Sequence, residues 1–213
     1  MNSHQEIYLL RHGETDFNLQ GIIQGSGVDA DLNATGRAQA AQFYATYGHL
    51  PFEAVLTSAL KRTEQTVAPF IAAGIPHFVY PELNEMSWGE QEGLKSTAAS
   101  IAEYETIKEG WGRGEIDGRI AGGESAREMG LRLQNFLAQL ALRPERLLLV
   151  CSHGRAMCGL VTLMEGQPIE YMNQHRHSNT GLWVAQRPAA RPHFQFRLRN
   201  DRSHLPQAER ILH

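Results

Sequence analysis

Short apolar runs alternate along this chain with stretches of helical periodicity, and polar, glycine-bearing turns punctuate them. Residues 5 to 10 form the first apolar run and predict a strand that empties into a polar, Gly-rich loop from His12 to Asp31. The Ala-rich segment from Asn33 to Tyr47 opens on a capping residue and stops at Gly48, which predicts a helix. Ala54 to Thr57 predicts a second strand. Ser58 then opens a helix that runs to Gly74, with Pro69 placed to kink it. His77 to Tyr80 predicts a third strand. From Ser125 to Leu140, Met129, Leu133, Phe136, Leu137 and Leu140 recur at helical spacing. Arg146 to Cys151 is the most continuously apolar run, the signature of a central parallel strand covered on both faces. It ends in the polar turn Ser152 to Gly154, and an apolar helix follows. Strands near Gly181 to Gln186 and His193 to Leu198 complete the sheet, with a loosely held tail from Arg199 onward. This alternation of strand and helix predicts an α/β fold. The segment from about Glu85 to Gly122 breaks the rhythm with Trp88, Tyr104, Trp111 and many glycines, and reads as an insertion over one edge of the sheet.

Composition narrows the class. With 213 residues and 42% hydrophobic content the chain can bury a proper core, and one domain spanning 1–213 is expected. A net charge of −3 argues against a nucleic-acid or anionic-membrane surface. The N-terminal residues do not read as a signal peptide, no segment approaches bilayer length, and a cytoplasmic location is the expectation. Cys151 and Cys158 have neither disulfide-framework nor metal-ligand spacing and are expected as buried free thiols.

The candidate chemistry lies where strands end, because ligands of open α/β sheets bind outside the carboxyl ends of the strands. Two strands end in the same pair, His12-Gly13 and His153-Gly154. If those strands are neighbours, the imidazoles meet in one crevice. Arg11 stands beside His12, and Arg62 falls on the first turn of the helix after the second strand. Guanidinium groups match phosphate geometry bidentately, so two of them facing two histidines describe a site for a tetrahedral dianion. The helix N-terminus near Ser58 would add a favourable dipole. The arginines would repel a metal ion, which leaves a nucleophilic histidine as the role for the pair, with no metal and no cofactor expected. A proton donor for the leaving oxygen is needed too; Glu85 is a candidate, and Glu14 or Glu82 could equally be nominated.

LLRHGETDFN, TSALKRTEQT, LNEMSWGEQEG, GGESAREMGLR and VCSHGRA stand in this order between about Ile7 and Gly181. In these blocks the chain resembles the histidine phosphatase superfamily, in its phosphoglycerate mutase-like branch. The resemblance implies a three-layer α/β/α sandwich with a mostly parallel central sheet and a lid insertion at about 86–122. It implies that His12 accepts the phosphoryl group, that Arg11, Arg62 and His153 complete the pocket, and that Glu85 is acid and base. It also implies phosphate contacts from Asn18, Thr15 and Gln24. Related acid phosphatases usually follow their second His with Asp; Gly154 here points to the mutase-type branch. Gln91 stands where a Trp is common and Cys158 where many relatives carry Arg, departures that bear on substrate.

Three functions follow for comparison. Mutases of this superfamily usually carry an aromatic-rich element after the first block and a Tyr- and Arg-rich lid. Here GIIQGSGVDADLN and EGLKSTAASIAEYETIKEGWGRG lack that pattern, so a phosphatase acting on small phosphate monoesters is preferred over a mutase. A binding protein that lost turnover would lack a member of the core set, and all five are present. An exposed edge strand would support a homodimer. Glu124 suits the dipole of the helix that Ser125 or Gly123 starts. His175-Arg176-His177 lacks a third metal ligand and reads at most as a substrate rim.

Overall fold

The computed structural model describes residues 4–188 and 193–207. Six strands form one sheet: β1 (His4–Arg11), β2 (Ala54–Thr57), β3 (His77–Val79), β4 (Leu147–Ser152), β5 (Leu182–Pro188) and β6 (Gln195–Asp201), in the order β3-β2-β4-β1-β5-β6. The first four strands are mutually parallel, β5 runs antiparallel to β1, and β6 antiparallel to β5. The β1–β4 register pairs Leu10 with Cys151 and Arg11 with Ser152, so His12 and His153 leave adjacent strands at the same level.

Both faces of the central strands are apolar, and alternate residues divide between two cores. Ile7, Leu9, Leu148 and Val150 face α5 (Ala126–Leu142) and α6 (Gly154–Met164). Tyr8, Leu10, Leu149 and Cys151 pack with Phe43 of α2 (Ala34–Tyr47) and with Val67 and Phe70 of α3 (Lys61–Ala72). The result is the three-layer α/β/α arrangement expected, with a period of two in each strand sorting side chains to opposite cores. Cys151 and Cys158 are buried free thiols. Among the described residues no helix is long and apolar enough to cross a membrane.

Several elements differ from the reading of the pattern. The loop after His12 contains a short helix, α1 (Asp16–Gln20), nucleated by a capping box between Thr15 and Asn18 and stopped by Gly21 at φ +66°. Ser58 does not open α3. The helix starts at Lys61, whose N–H is received by Asp29 Oδ1 at 2.8 Å. It continues through Pro69 to Ala72. The insertion holds α4 (Ala98–Gly112), begun by a capping box at Thr97. Its Trp111 is fully buried in the core that it shares with residues of α5 and α6, and its Nε1 donates to Gly118 O. Ser125 starts α5 as expected, through a capping box with Glu128, and Glu124, one residue before the cap, grips Arg132 at 2.6 Å. Nor is the tail loose as far as it is described. β6 runs to Asp201, Leu205 is buried, and the His204 ring stands edge-on to Phe43 at 5.2 Å. The strand expected from His193 begins at Gln195, and residues 189–192 and 208–213 lie outside the described residues.

One backbone contact ties α2 to the site. A Cβ on Gly13 would stand 2.7 Å from Gly36 O, and one on Gly36 would stand 2.1 Å from Glu14 O. Two glycines thus let the first turn of α2 lie directly on the loop after β1. Gly36→Ala is expected to destabilise the protein by about 1–3 kcal/mol through this overlap, read as a lower urea midpoint. A change below a few tenths of that would show that the loop yields freely.

Candidate active site

His12 and His153 extend from the carboxyl ends of β1 and β4, and their ring centroids are 5.1 Å apart. His12 is 3% exposed, and its Nδ1 lies 2.7 Å from Gly13 O. A carbonyl can only accept, so Nδ1 carries the proton and Nε2 keeps its lone pair. Burial, reinforced by Arg62 and Arg11, pushes His12 well below the ordinary histidine range. The imidazole is therefore neutral, with one nitrogen ready to act as a nucleophile.

Arg62 is fully buried. Its Nε donates to His153 Nδ1 at 3.1 Å, and its other nitrogens donate to Val28 O at 2.6 Å and Gly25 O at 3.3 Å. Burial lowers it to about 10, which leaves it charged at neutral pH. Because Arg62 can only donate, His153 Nδ1 accepts, and Nε2 donates to Ser58 Oγ at 2.8 Å. Ser58 in turn lies 2.9 Å from Thr63 Oγ1, whose hydroxyl donates to Leu60 O. Ser58 thus fixes the His153 tautomer instead of starting a helix. Burial and Arg62 hold His153 neutral as well. Both its nitrogens are committed, so in this arrangement it orients Arg62.

Arg11 donates from Nη1 to His177 O at 2.6 Å, and the enclosure of its guanidinium lowers its pKa against the raising effect of Glu85. A Cβ on Gly154 would stand 3.5 Å from Arg11 Cζ and 3.7 Å from Glu85 Oε2, so guanidinium and carboxylate converge on the start of α6. Glu85 Oε1 accepts from Met86 N and Ala156 N at 2.9 Å, and Oε2 from Arg155 N at 3.1 Å. The carboxylate caps α6, a task the His153 side chain leaves undone. The other acids stand elsewhere: Glu14 Oε1 receives Asn33 Nδ2, and Glu82 Oε1 receives Gln139 Nε2.

The three loop residues meet, in unequal roles. Thr15 Oγ1 accepts from Asn18 N and from Gln24 Nε2, and Asn18 Oδ1 accepts from Thr15 N, Thr15 Oγ1 and Asn179 Nδ2. Thr15 and Gln24 are occupied in holding Asn18, whose Nδ2 is the donor left to offer an anion.

Other contributors were not visible in the pattern. Asn179 Nδ2 bridges His12 O at 3.0 Å to Asn18. Arg132 donates to Asn84 O at 2.8 Å and so pins the residue before Glu85. Arg155 reaches from the start of α6 to Tyr104 Oη of α4 and to Asn173 Oδ1, tying the insertion to the site. Tyr104 also meets Trp88 edge-on at 5.4 Å. Asn179, before β5, had one readable sign: a polar, Gly-bearing turn of the kind that follows β1 and β4.

Three neutral buried histidines, His12, His153 and His177, give a pH prediction. Burial is the largest cause of each depression. The unfolded chain protonates them near pH 6.5 while the native state resists. Below about pH 6.5 the unfolded state therefore binds more protons, and stability falls as pH falls, by up to about 1.4 kcal/mol per pH unit for each histidine. Urea unfolding between pH 7.5 and pH 5 should show this decline, and His177→Phe should remove about one proton from its slope. A flat profile over that window would refute it.

His12, the His153–Arg62 pair, Arg11 and the Glu85 carboxylate are the residues that the resemblance named, and the structure brings them together at the ends of β1 and β4. The comparisons agree: residues 7–201 match the histidine phosphatase superfamily (branch 1), and the chain belongs to that family. A protein of Enterobacter sp. (strain 638) named "Probable phosphoglycerate mutase GpmB" is 39% identical over 170 residues, covering 76% of each chain. The alpha-ribazole phosphatase of Shigella flexneri superposes with a TM-score of 0.78 at 25% identity, over 92% of this chain and 96% of that one. A mycobacterial glucosyl-3-phosphoglycerate phosphatase shares the fold, with a TM-score of 0.77 at 22% identity over 93% of this chain and 100% of that one.

Proposed function

We propose that this protein is a phosphomonoesterase that hydrolyses small phosphorylated metabolites through a phosphohistidine on His12. The observation that carries the reading is the His12 Nδ1 bond to Gly13 O, which leaves Nε2 as the free nucleophile of a neutral ring. In the first step Nε2 attacks phosphorus in line, the ester P–O bond breaks, and Glu85 in its acid form protonates the leaving oxygen. Arg11 and Arg62 neutralise the equatorial oxygens, Asn18 donates from Nδ2, and His153 keeps Arg62 in register. In the second step Glu85 takes a proton from water, which attacks phosphorus and breaks the N–P bond. Histidine and phosphate are regenerated, and the scheme needs neither metal nor cofactor.

A phosphoglycerate mutase-type transfer is the second reading, favoured by the name of the 39% identical relative. The character of the insertion supports hydrolysis instead. The segments GIIQGSGVDADLN and EGLKSTAASIAEYETIKEGWGRG lack the aromatic-rich element and the Tyr- and Arg-rich lid usual in the mutases of the superfamily. The test is phosphate release by the EDTA-treated protein from a panel of monoesters, with 3-phosphoglycerate isomerisation assayed beside it, with and without 2,3-bisphosphoglycerate. Release is expected. Isomerisation with negligible release would move the chain to the mutase reading, and silence in both would defeat both.

A further inference from the structure

Glu85 hangs from a short stretch of chain whose carbonyls are taken up one after another. Leu83 O receives the hydroxyl of Ser152 at 2.8 Å, from the last residue of β4 before His153. Glu82 O and Asn84 O both receive Nη1 of Arg132, at 2.5 Å and 2.8 Å. Beyond Glu85, Ser87 O receives the N–H of Glu124 at 2.9 Å. The residues that grip the two flanks of Glu85 are themselves joined, because the Glu124 carboxylate accepts Arg132 Nε at 2.6 Å and Nη2 at 2.9 Å. Water reaches little of this pair: 20% of the arginine side chain and 16% of the glutamate side chain are exposed.

Glycines permit the arrangement. A Cβ on Gly123 would stand 2.8 Å from Ser87 O, and one on Gly89, at φ +52°, would stand 2.0 Å from Ala121 O. The segment before α5 can therefore lie directly on the chain that follows Glu85. Arg132, in the second turn of α5, then spans from Glu124 to the carbonyls of Glu82 and Asn84. A planar guanidinium can meet a carboxylate along one edge and two carbonyls from another nitrogen. A lysine ammonium is a single point of charge and cannot serve both.

The backbone end of Glu85 is thus fixed by α5 and β4, and its carboxylate end by the first N–H groups of α6. Position decides the worth of a general acid, since it must stand within hydrogen-bond reach of the oxygen it protonates, and a displacement of about 1 Å can cost on the order of 10²-fold. We propose that Arg132, locked in place by Glu124, is a positioning residue for the general acid: it holds the turn from Glu82 to Ser87 so that the Glu85 carboxyl reaches the leaving oxygen. The phosphate pocket, built from the ends of β1 and β4 and from α3, does not depend on it. The catalytic consequence rests on the phosphatase reading; the clamp itself does not.

The test uses the full chain, the variants Arg132→Ala, Arg132→Lys and Glu85→Gln, and the double variant Arg132→Ala/Glu85→Gln, with glycerol 2-phosphate as alkyl ester and p-nitrophenyl phosphate as aryl ester. Arg132→Ala is expected to lower kcat at least about tenfold more for the alkyl ester than for the aryl ester, with KM for both little changed. Arg132→Lys keeps the charge without the fork and is expected to recover only a minor part of the loss. In the Glu85→Gln background, Arg132→Ala should leave the alkyl-to-aryl ratio as it is, because the group it positions is no longer an acid. Equal slowing of both esters, full recovery with lysine, or a further fall of the ratio in that background overturns the positioning role. A second readout needs no turnover: exchange of the Arg155 and Ala156 amides, which bond the Glu85 carboxylate, is expected to quicken at least about threefold in both Arg132 variants, with the amides of Phe136 and Leu140 in α5 little changed. Unchanged exchange at Arg155 and Ala156, or equal quickening throughout α5, overturns the clamp. Should Arg132→Ala fail to fold, Arg132→Lys carries the same readings. A wild type that hydrolyses neither ester defeats the phosphatase reading, and the exchange result then decides the clamp by itself.

Discussion

His12→Ala is expected to abolish the phosphorylated enzyme and to lower kcat by at least about 10⁴-fold, the scale seen when a covalent nucleophile is deleted. The size of the loss follows from geometry. His12 is held in one tautomer by Gly13 O, at a depth where burial and two arginines keep it neutral. No neighbour can take over. His153 has both nitrogens engaged, by Arg62 and Ser58. Cys151 sits in the core under α3 with its thiol pushed far up by burial, so it supplies no thiolate. The experiment is brief incubation with a labelled monoester, a quench in alkaline detergent, and recovery of protein-bound phosphate that is stable to alkali and lost on treatment with acid. The wild type should carry it and the variant should not. Labelling or undiminished turnover in the variant would place the nucleophile elsewhere. A variant that fails to label yet keeps a cooperative urea transition separates chemistry from folding.

Much of this arrangement was legible because it rests on local pattern. The apolar runs of β1 and β4, each ending in His-Gly, sufficed to bring two imidazoles to one crevice, and the register of Arg11 with Ser152 delivers that. The parts that escaped depend on contacts distant in sequence. Ser58 read as a helix start because its neighbours have helical spacing, but α3 takes its cap from Asp29, and the freed hydroxyl turns to His153. Asn179 could not be placed without the direction of β5, since only an antiparallel strand returns its beginning to the active edge. Glycine-rich sequence hid α4, whose start is set by a Thr97 capping box and whose end is anchored by a single buried Trp111. Arg132 and Arg155 sit on helices where an arginine ordinarily faces solvent, and nothing local distinguishes one that clamps backbone carbonyls, as Arg132 does, or one that bonds Tyr104 and Asn173, as Arg155 does. The choice of Glu85 over Glu14 and Glu82 came from family resemblance alone. In the structure its carboxylate, unlike theirs, shares the start of α6 with Arg11.

Glu85→Gln is expected to slow hydrolysis of alkyl phosphates by about 10²–10⁴-fold, the usual range for a lost general acid, while sparing aryl phosphates in large part. The asymmetry is the informative quantity. An alkoxide is a poor leaving group and needs its proton in the transition state; a phenolate departs without one. The substitution is not structurally silent, because three backbone N–H groups, of Met86, Arg155 and Ala156, converge on two carboxylate oxygens, and glutamine presents only one acceptor to them. Some loosening of the α6 N-terminus is therefore expected, and with it a loss common to every substrate. Dividing the alkyl effect by the aryl effect cancels that common loss and leaves the contribution of proton transfer. A ratio well above ten would assign the proton to Glu85. A ratio near one, with both substrates slowed alike, would mean that Glu85 acts by capping α6 and keeping His153 and Arg62 in place, and the donor would then have to be sought among groups that reach the crevice from the insertion.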